Sequence, residues 1–216
     1  MHAQGQAREP SNRTAVPATD DEIREKYLER AIRELNALTR RLQQCSHCPR
    51  GNLMPVLGSG HPQADVLLLK HAPTPAEVEE GVAFYGRAGT ALMKSLRRLD
   101  IDPLVVYGTL CVKCPVADAA LAAPECVARL VEEMAIVQPK IVVVMGPDAL
   151  DCLNDLQLPL AREVREEPGA IQRLTPSIEA LYVPDIDRSL DEEGAKRAFW
   201  RAFRVLGEWW SDFPPY

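Results

Sequence analysis

The chain has 216 residues, 46% of them hydrophobic and 26% charged, with a formal net charge of −6. That length and apolar share suit one globular domain that buries a core without a covalent staple. The acidic balance excludes nucleic-acid binding by bulk positive charge, though a local basic patch on an acidic body remains open.

Residues 1–19 carry Pro10 and Pro17 among scattered Ala, Ser and Asn, with no apolar block of the kind a secretory signal needs. They read as a disordered tail, leaving 20–216 as a single domain. A first helix is expected after Thr19 or Asp20, either of which can cap it. Ile23, Tyr27, Leu28, Ala31, Leu35, Leu38 and Leu42 form its apolar stripe. The helix runs into Cys45-Ser46-His47-Cys48-Pro49, and Val56-Leu57-Gly58-Ser59-Gly60 follows.

Asp65 to Lys70 reads as a short buried strand, followed by the turn His71-Ala72-Pro73-Thr74-Pro75 and the acidic residues Glu77, Glu79 and Glu80. Gly81 to Gly89 leads into a second helix over Thr90 to Leu99. A second strand is expected over Leu104 to Leu110, a third helix over Pro124 to Val137 and a third strand over Ile141 to Met145. A fourth helix spans Asp148 to Leu156, a fourth strand Leu181 to Val183, and one last helix about Asp191 to Trp210.

Strands that alternate with helices and are apolar throughout are buried on both faces, the habit of parallel sheets. The expected fold class is α/β: a three-layer αβα domain around a short, mainly parallel, four-stranded sheet. Ligands of such sheets sit beyond the carboxyl ends of the strands, so the segments after Lys70, Leu110, Met145 and Val183 are the ones to examine. No apolar run approaches the roughly 20 residues of a membrane span. A cytoplasmic protein with no membrane partner is expected, and a monomer.

Six cysteines in a chain without an export signal point to metal or redox chemistry before disulfides. Cys45 and Cys48 form one C-x2-C pair, Cys111 and Cys114 another, and Cys126 opens the third helix. Such pairs let two thiolates reach one metal from a tight turn. Zinc on Cys45, Cys48, Cys111 and Cys114 uses two matched pairs. An iron–sulfur cluster on Cys45, Cys48, Cys114 and Cys126 is the competing set. If Cys111 is still in its strand it faces away from Cys114, whereas Cys126 lies at a helix start, where exposed amides favour a thiolate. Cys152, on an apolar helix, reads as core. Arg87 and Gly89 precede a helix and offer a guanidinium and amides to a phosphate. Lys113 joins Arg40, Arg41, Arg50, Lys94, Arg97 and Arg98 as further basic candidates.

With these residues placed, the chain resembles the family 4, iron–sulfur uracil-DNA glycosylases from about Leu28 to Leu153. The landmarks are CSHC after a helix, VLGSG, a strand leading to an Ala-Pro turn, GVAFYGRAG, a strand ending in VKC, and QPKIVVVMGPDAL. The resemblance implies a 4Fe–4S cluster on Cys45, Cys48, Cys114 and Cys126, leaving Cys111 spare. It also implies hydrolysis of the N-glycosidic bond of a damaged base in DNA, during base excision repair.

In that chemistry the base leaves the stack and enters a pocket, its departing oxygen needs hydrogen-bond donors, and a water must be held at the sugar carbon. Phe84 matches the family's stacking aromatic, and Ala72, Pro73 and Leu110 fall at base-binding positions. Three positions depart from the family. His71 stands where it has a glutamate, Leu110 where it has an asparagine, and Val183-Pro184-Asp185-Ile186-Asp187 where it has His-Pro-Ser. A leucine neither gives nor accepts the bonds an amide offers a pyrimidine edge. Ordinary uracil excision is therefore not expected. His71 and Asp187 become the candidate catalytic groups of an altered pocket, His71 as base or donor and Asp187, with Asp185, to position water. Two other readings stay open. One is a catalytically inactive relative that binds DNA or a protein partner. The other is a zinc-stapled α/β protein with no DNA role.

Overall fold

The computed structural model describes residues 19–213. The tail expected at residues 1–19 falls outside them, apart from Thr19. That residue closes a capping box on α1 (Asp20–Gln44): its hydroxyl accepts from the Glu22 amide, and the Glu22 carboxylate accepts from its own. Ala31, Leu38 and Leu42 are the buried part of the α1 stripe, whereas Ile23 and Tyr27 are exposed.

The sheet has six strands rather than four, in the order β1-β3-β2-β4-β6-β5. The middle four are parallel: β3 (Val106–Leu110), β2 (Val66–Lys70), β4 (Ile141–Met145) and β6 (Glu179–Val183). The two extra strands are antiparallel edges, β1 (Ser59–Gly60) and β5 (Ile171–Arg173). With two and three residues, neither carries enough of a pattern to be read from sequence.

In the central strands alternate side chains feed two cores. Leu67, Leu69, Val142, Val144, Ala180 and Tyr182 pack with α4 (Pro124–Val137) and α5 (Pro147–Asn154), and α1 lies against α4. Val66, Leu68, Ile141, Val143, Leu181 and Val183 pack with α3 (Arg87–Arg98), α7 (Glu193–Phe203) and α8 (Val205–Asp212). The single last helix expected from the sequence is two helices that part at Arg204. Two short helices cap the carboxyl ends of the strands: α2 (Pro75–Glu80), made from the acidic stretch after β2, and α6 (Ile186–Ser189), just after β6. No helix of the described residues is long and apolar enough to cross a membrane.

Candidate functional site

Strand β2 ends on a charge. Lys70 closes the run VLLLK, pairs in register with Leu110 and Met145, and is 3% exposed. A buried ammonium needs partners, and Lys70 Nζ has two, Glu77 Oε2 and Asp187 Oδ2, each at 2.7 Å. Glu77 is wholly buried, while the Asp187 side chain keeps 34% of its exposure.

Glu77 does more than pair. Its Oε2 also accepts from the Thr74 amide at 2.7 Å and the Thr74 hydroxyl at 2.9 Å, and its Oε1 accepts from the Phe84 amide at 2.5 Å. One carboxylate thus fixes the turn after β2, the start of α2 and the backbone of Phe84. Phe84 has φ of 61°, a conformation that an aromatic residue adopts only when its surroundings impose it. Two glycines make room for it. A Cβ on Gly89 would lie 1.8 Å from the Phe84 carbonyl oxygen, and one on Gly108 would lie 2.6 Å from the ring. The Lys70 ammonium sits 5.7 Å from the ring centroid. Beside the half-buried ring, Leu110 is fully buried with Val56 and Ala83.

The second assembly is sulfur. Cys48, Cys114 and Cys126 are buried, and their Sγ atoms lie within 4.8 Å of one another. They come from the loop after α1, the loop after β3 and the first turn of α4, walled by Ala72, Val112, Val116, Ala119, Ala122 and Ala123. Backbone amides aim at two of them: Lys113 N–H donates to Cys126 Sγ at 3.4 Å and Ala123 N–H to Cys48 Sγ at 3.3 Å. The hydrogen bond from the Cys114 thiol pulls the Cys126 pKa down to about 5 against the cost of burial, with the Lys113 amide helping. Cys114 is pushed up by the same bond and by burial, and Cys48 is pushed up by burial. Three buried thiols with amide donors fit a group that binds thiolates.

Cys45 lies outside this group of three, its Sγ 3.5 Å from His47 Nδ1 at the end of α1. The zinc set of two matched pairs does not form. Just past the strand, Cys111 turns to the other side of the sheet, where its Sγ lies 3.9 Å from the Ala149 carbonyl and is hydrogen-bonded with Cys152.

The remaining expected residues divide. Asp187 meets Lys70, and among the described residues no hydrogen bond joins it to His71. His71 points the other way and lines a cavity of about 870 Å³ with Val112, Asp148, Asp151 and Cys152. Ala72 and Pro73 line a neighbouring cavity of about 650 Å³ with Val112 and Cys114. Lys113 cannot serve as a DNA contact in this fold, because it is fully buried. Its Nζ is 2.7 Å from both Glu133 Oε2 and the Leu110 carbonyl, and Glu133 also accepts from the Tyr107 and Thr109 hydroxyls. Gly89 is taken up by the approach of Phe84, and the exposed Arg87 pairs with Asp191 at 2.6 Å. Arg50 caps the end of α1, donating to the Gln43 and Cys45 carbonyls. Lys94 and Arg98 of α3 join Lys196 and Arg197 of α7 along a groove of about 490 Å³ floored by Trp200.

A phenylalanine presented at the carboxyl edge of a parallel sheet, beside a buried three-sulfur pocket, is the arrangement against which comparison with known proteins has to be set. The profile of the Uracil DNA glycosylase superfamily matches residues 57–203, the span from VLGSG through α7. The chain belongs to the uracil-DNA glycosylase superfamily. Within that superfamily it is similar to a Type-4 uracil-DNA glycosylase of Thermotoga maritima, with 28% identity over 142 residues, covering 62% of this chain and 73% of the relative.

Lys70 and Glu77 are what sequence reasoning missed. A charge closing an all-apolar strand was a usable sign, since a lysine at a fully covered strand end has to find an anion. Glu77 sits on a short acidic helix and gave no such sign.

Proposed function

We propose that the protein hydrolyses the N-glycosidic bond of a damaged base in DNA, in the cytoplasm, as a step of base excision repair. The observation that carries this reading is Phe84: an aromatic ring locked in a left-handed conformation by a buried carboxylate, at the sheet edge where the strands end. Such a platform suits a base rotated out of the stack, since stacking on an aromatic is worth about 1–3 kcal/mol per base. The cations of the α3–α7 groove supply phosphate contacts that the net charge conceals.

In this reading Cys48, Cys114 and Cys126, with Cys45 turning in as the fourth ligand, hold a 4Fe–4S cluster. The cluster would supply anchoring rather than electron transfer. Its ligands tie the loop after α1, the loop after β3 and the start of α4 together beneath the Ala72-Pro73 turn.

A second reading has its own support. Lys70 and Leu110 are almost wholly buried beside Phe84, so a base pocket there is filled by this chain's own side chains. That arrangement fits a relative that binds DNA without cutting the glycosidic bond.

A panel of labelled oligonucleotides separates the two. Single-stranded and duplex DNA carrying uracil, hypoxanthine, xanthine or an oxidised base is incubated with the full chain, then treated with alkali to cleave abasic sites. Strand cleavage at one or more lesions is the expected result. Salt-sensitive binding with no cleavage at any lesion supports the second reading, and no binding at low salt overturns both.

A further inference from the structure

Breaking a glycosidic bond heterolytically makes two charges at once. The electron pair of the C1′–N bond goes to the base, which becomes an anion, and the sugar acquires cationic character until water adds at C1′. The water gives up one proton, the base takes one, and the products are an abasic site and a neutral base. A site built for this step has to offer positive charge to the base and negative charge to the sugar.

The Lys70–Asp187 pair offers both, 2.7 Å apart, at the ends of β2 and β6. Ring systems that stack on a phenylalanine in offset fashion have centroids roughly 4.5–7 Å apart. The ammonium is 5.7 Å from the Phe84 centroid, inside that shell, so a base on Phe84 has to touch Lys70. An ammonium has three donors, of which Glu77 and Asp187 take two. Glu77 is saturated, with Thr74, Phe84 and Lys70 all donating to it. Asp187 is one-third exposed and can face solvent and sugar.

Resting on the glycosylase reading above, we infer that Lys70 is the group that receives the departing base on Phe84, and that Asp187 faces the sugar and the attacking water. Lys70 only donates, so it matches bases whose facing edge carries a carbonyl oxygen and opposes those carrying an amino group there. The substrate class that follows is the deaminated bases (uracil, hypoxanthine, xanthine), with cytosine and adenine refused. Leu110 beside the ring adds apolar contact and no hydrogen-bond reading of its own.

The test compares the full chain with Lys70→Gln, Lys70→Arg and Asp187→Asn. It measures single-turnover excision of uracil and of 5-fluorouracil, binding to DNA with a tetrahydrofuran abasic analogue, and thermal melts. 5-Fluorouracil leaves as a more stable anion and needs less help. The expected result is a loss of about 10²–10³ in uracil excision for Lys70→Gln, a distinctly smaller loss with 5-fluorouracil, and analogue binding within a few-fold of the parent. Lys70→Arg recovers part of the rate. Asp187→Asn is expected to slow both substrates alike.

Parent activity with unchanged Lys70→Gln rates overturns the inference and leaves the glycosylase reading standing. Equal losses on both substrates, accompanied by a lowered melt, make Lys70 structural and also overturn it. Borohydride capture of Lys70 on abasic DNA would make it a nucleophile instead and overturn the charge-receiving role. A parent protein that binds the analogue but excises nothing overturns the glycosylase reading and the inference together.

Discussion

Lys113→Met isolates what the buried polar network under the sulfur site contributes. Lys113 is wholly buried, and its ammonium is 2.7 Å from Glu133 Oε2 and from the Leu110 carbonyl. Methionine fills nearly the same length, so little cavity is left. What is lost is the counter-charge. Glu133, 2% exposed on α4, keeps the Tyr107 and Thr109 hydroxyls and no cation. Removing one partner of a buried pair costs about 3–5 kcal/mol, and the Leu110 carbonyl loses a donor worth about 1 kcal/mol. For a chain of this size a kcal/mol moves Tm by roughly 2–4 °C, so Tm should fall by roughly 6–20 °C. The double variant Lys113→Met/Glu133→Gln removes the orphan charge, while the side-chain amide oxygen it introduces still accepts from both hydroxyls, so about half or more of the loss should return. Denaturant melts of the three proteins, side by side, measure it. A single variant within about 1 kcal/mol of the parent, or a double less stable than the single, would refute the reasoning.

Other consequences follow from the same geometry. Gly108→Ala puts a methyl 2.6 Å from the Phe84 ring. It should displace the ring, cost about 1–3 kcal/mol in a denaturant melt and lower base excision by up to about 10². Cys126→Ser should abolish bound metal in the purified protein, measured by elemental analysis, whereas Cys111→Ser, on the other side of the sheet with Cys152, should leave it unchanged. Burial, with the neighbouring carboxylates Glu133 and Glu166, raises the pKa of Tyr107 and Tyr182. Their contribution to stability is fully present below the unfolded value of about 10 and declines as pH rises above it. A pH series of melts should therefore show stability falling above about pH 10, with Tyr107→Phe reducing the slope; a flat profile would contradict this.

Much of the frame was legible because its elements announce themselves locally. Pro124 at the start of α4 and the run to Val137 define that helix at both ends, and VLLLK and IVVVM read as covered strands. The edge strands β1 and β5 are too short to show a period, and the break at Arg204 interrupts a stripe that sequence alone reads as continuous. At the site, the landmarks that depend on residue type were readable: Phe84 between glycines, and cysteines before Pro49, before Pro115 and after Pro124. The buried charges were not. Lys70, Glu77, Lys113 and Glu133 carry the side chains that usually face water, and only the pairing of distant segments makes them interior. Strand alternation had a further effect: adjacent residues face opposite sides, so it is Lys70, and not His71, that reaches Phe84 and Asp187.

The three-sulfur pocket is the feature on which the account depends most, and the full chain purified without oxygen tests it directly. A brown protein absorbing broadly near roughly 400 nm, with about four irons per chain, is the predicted result. Colourless protein carrying stoichiometric zinc, or no metal at all, would contradict it.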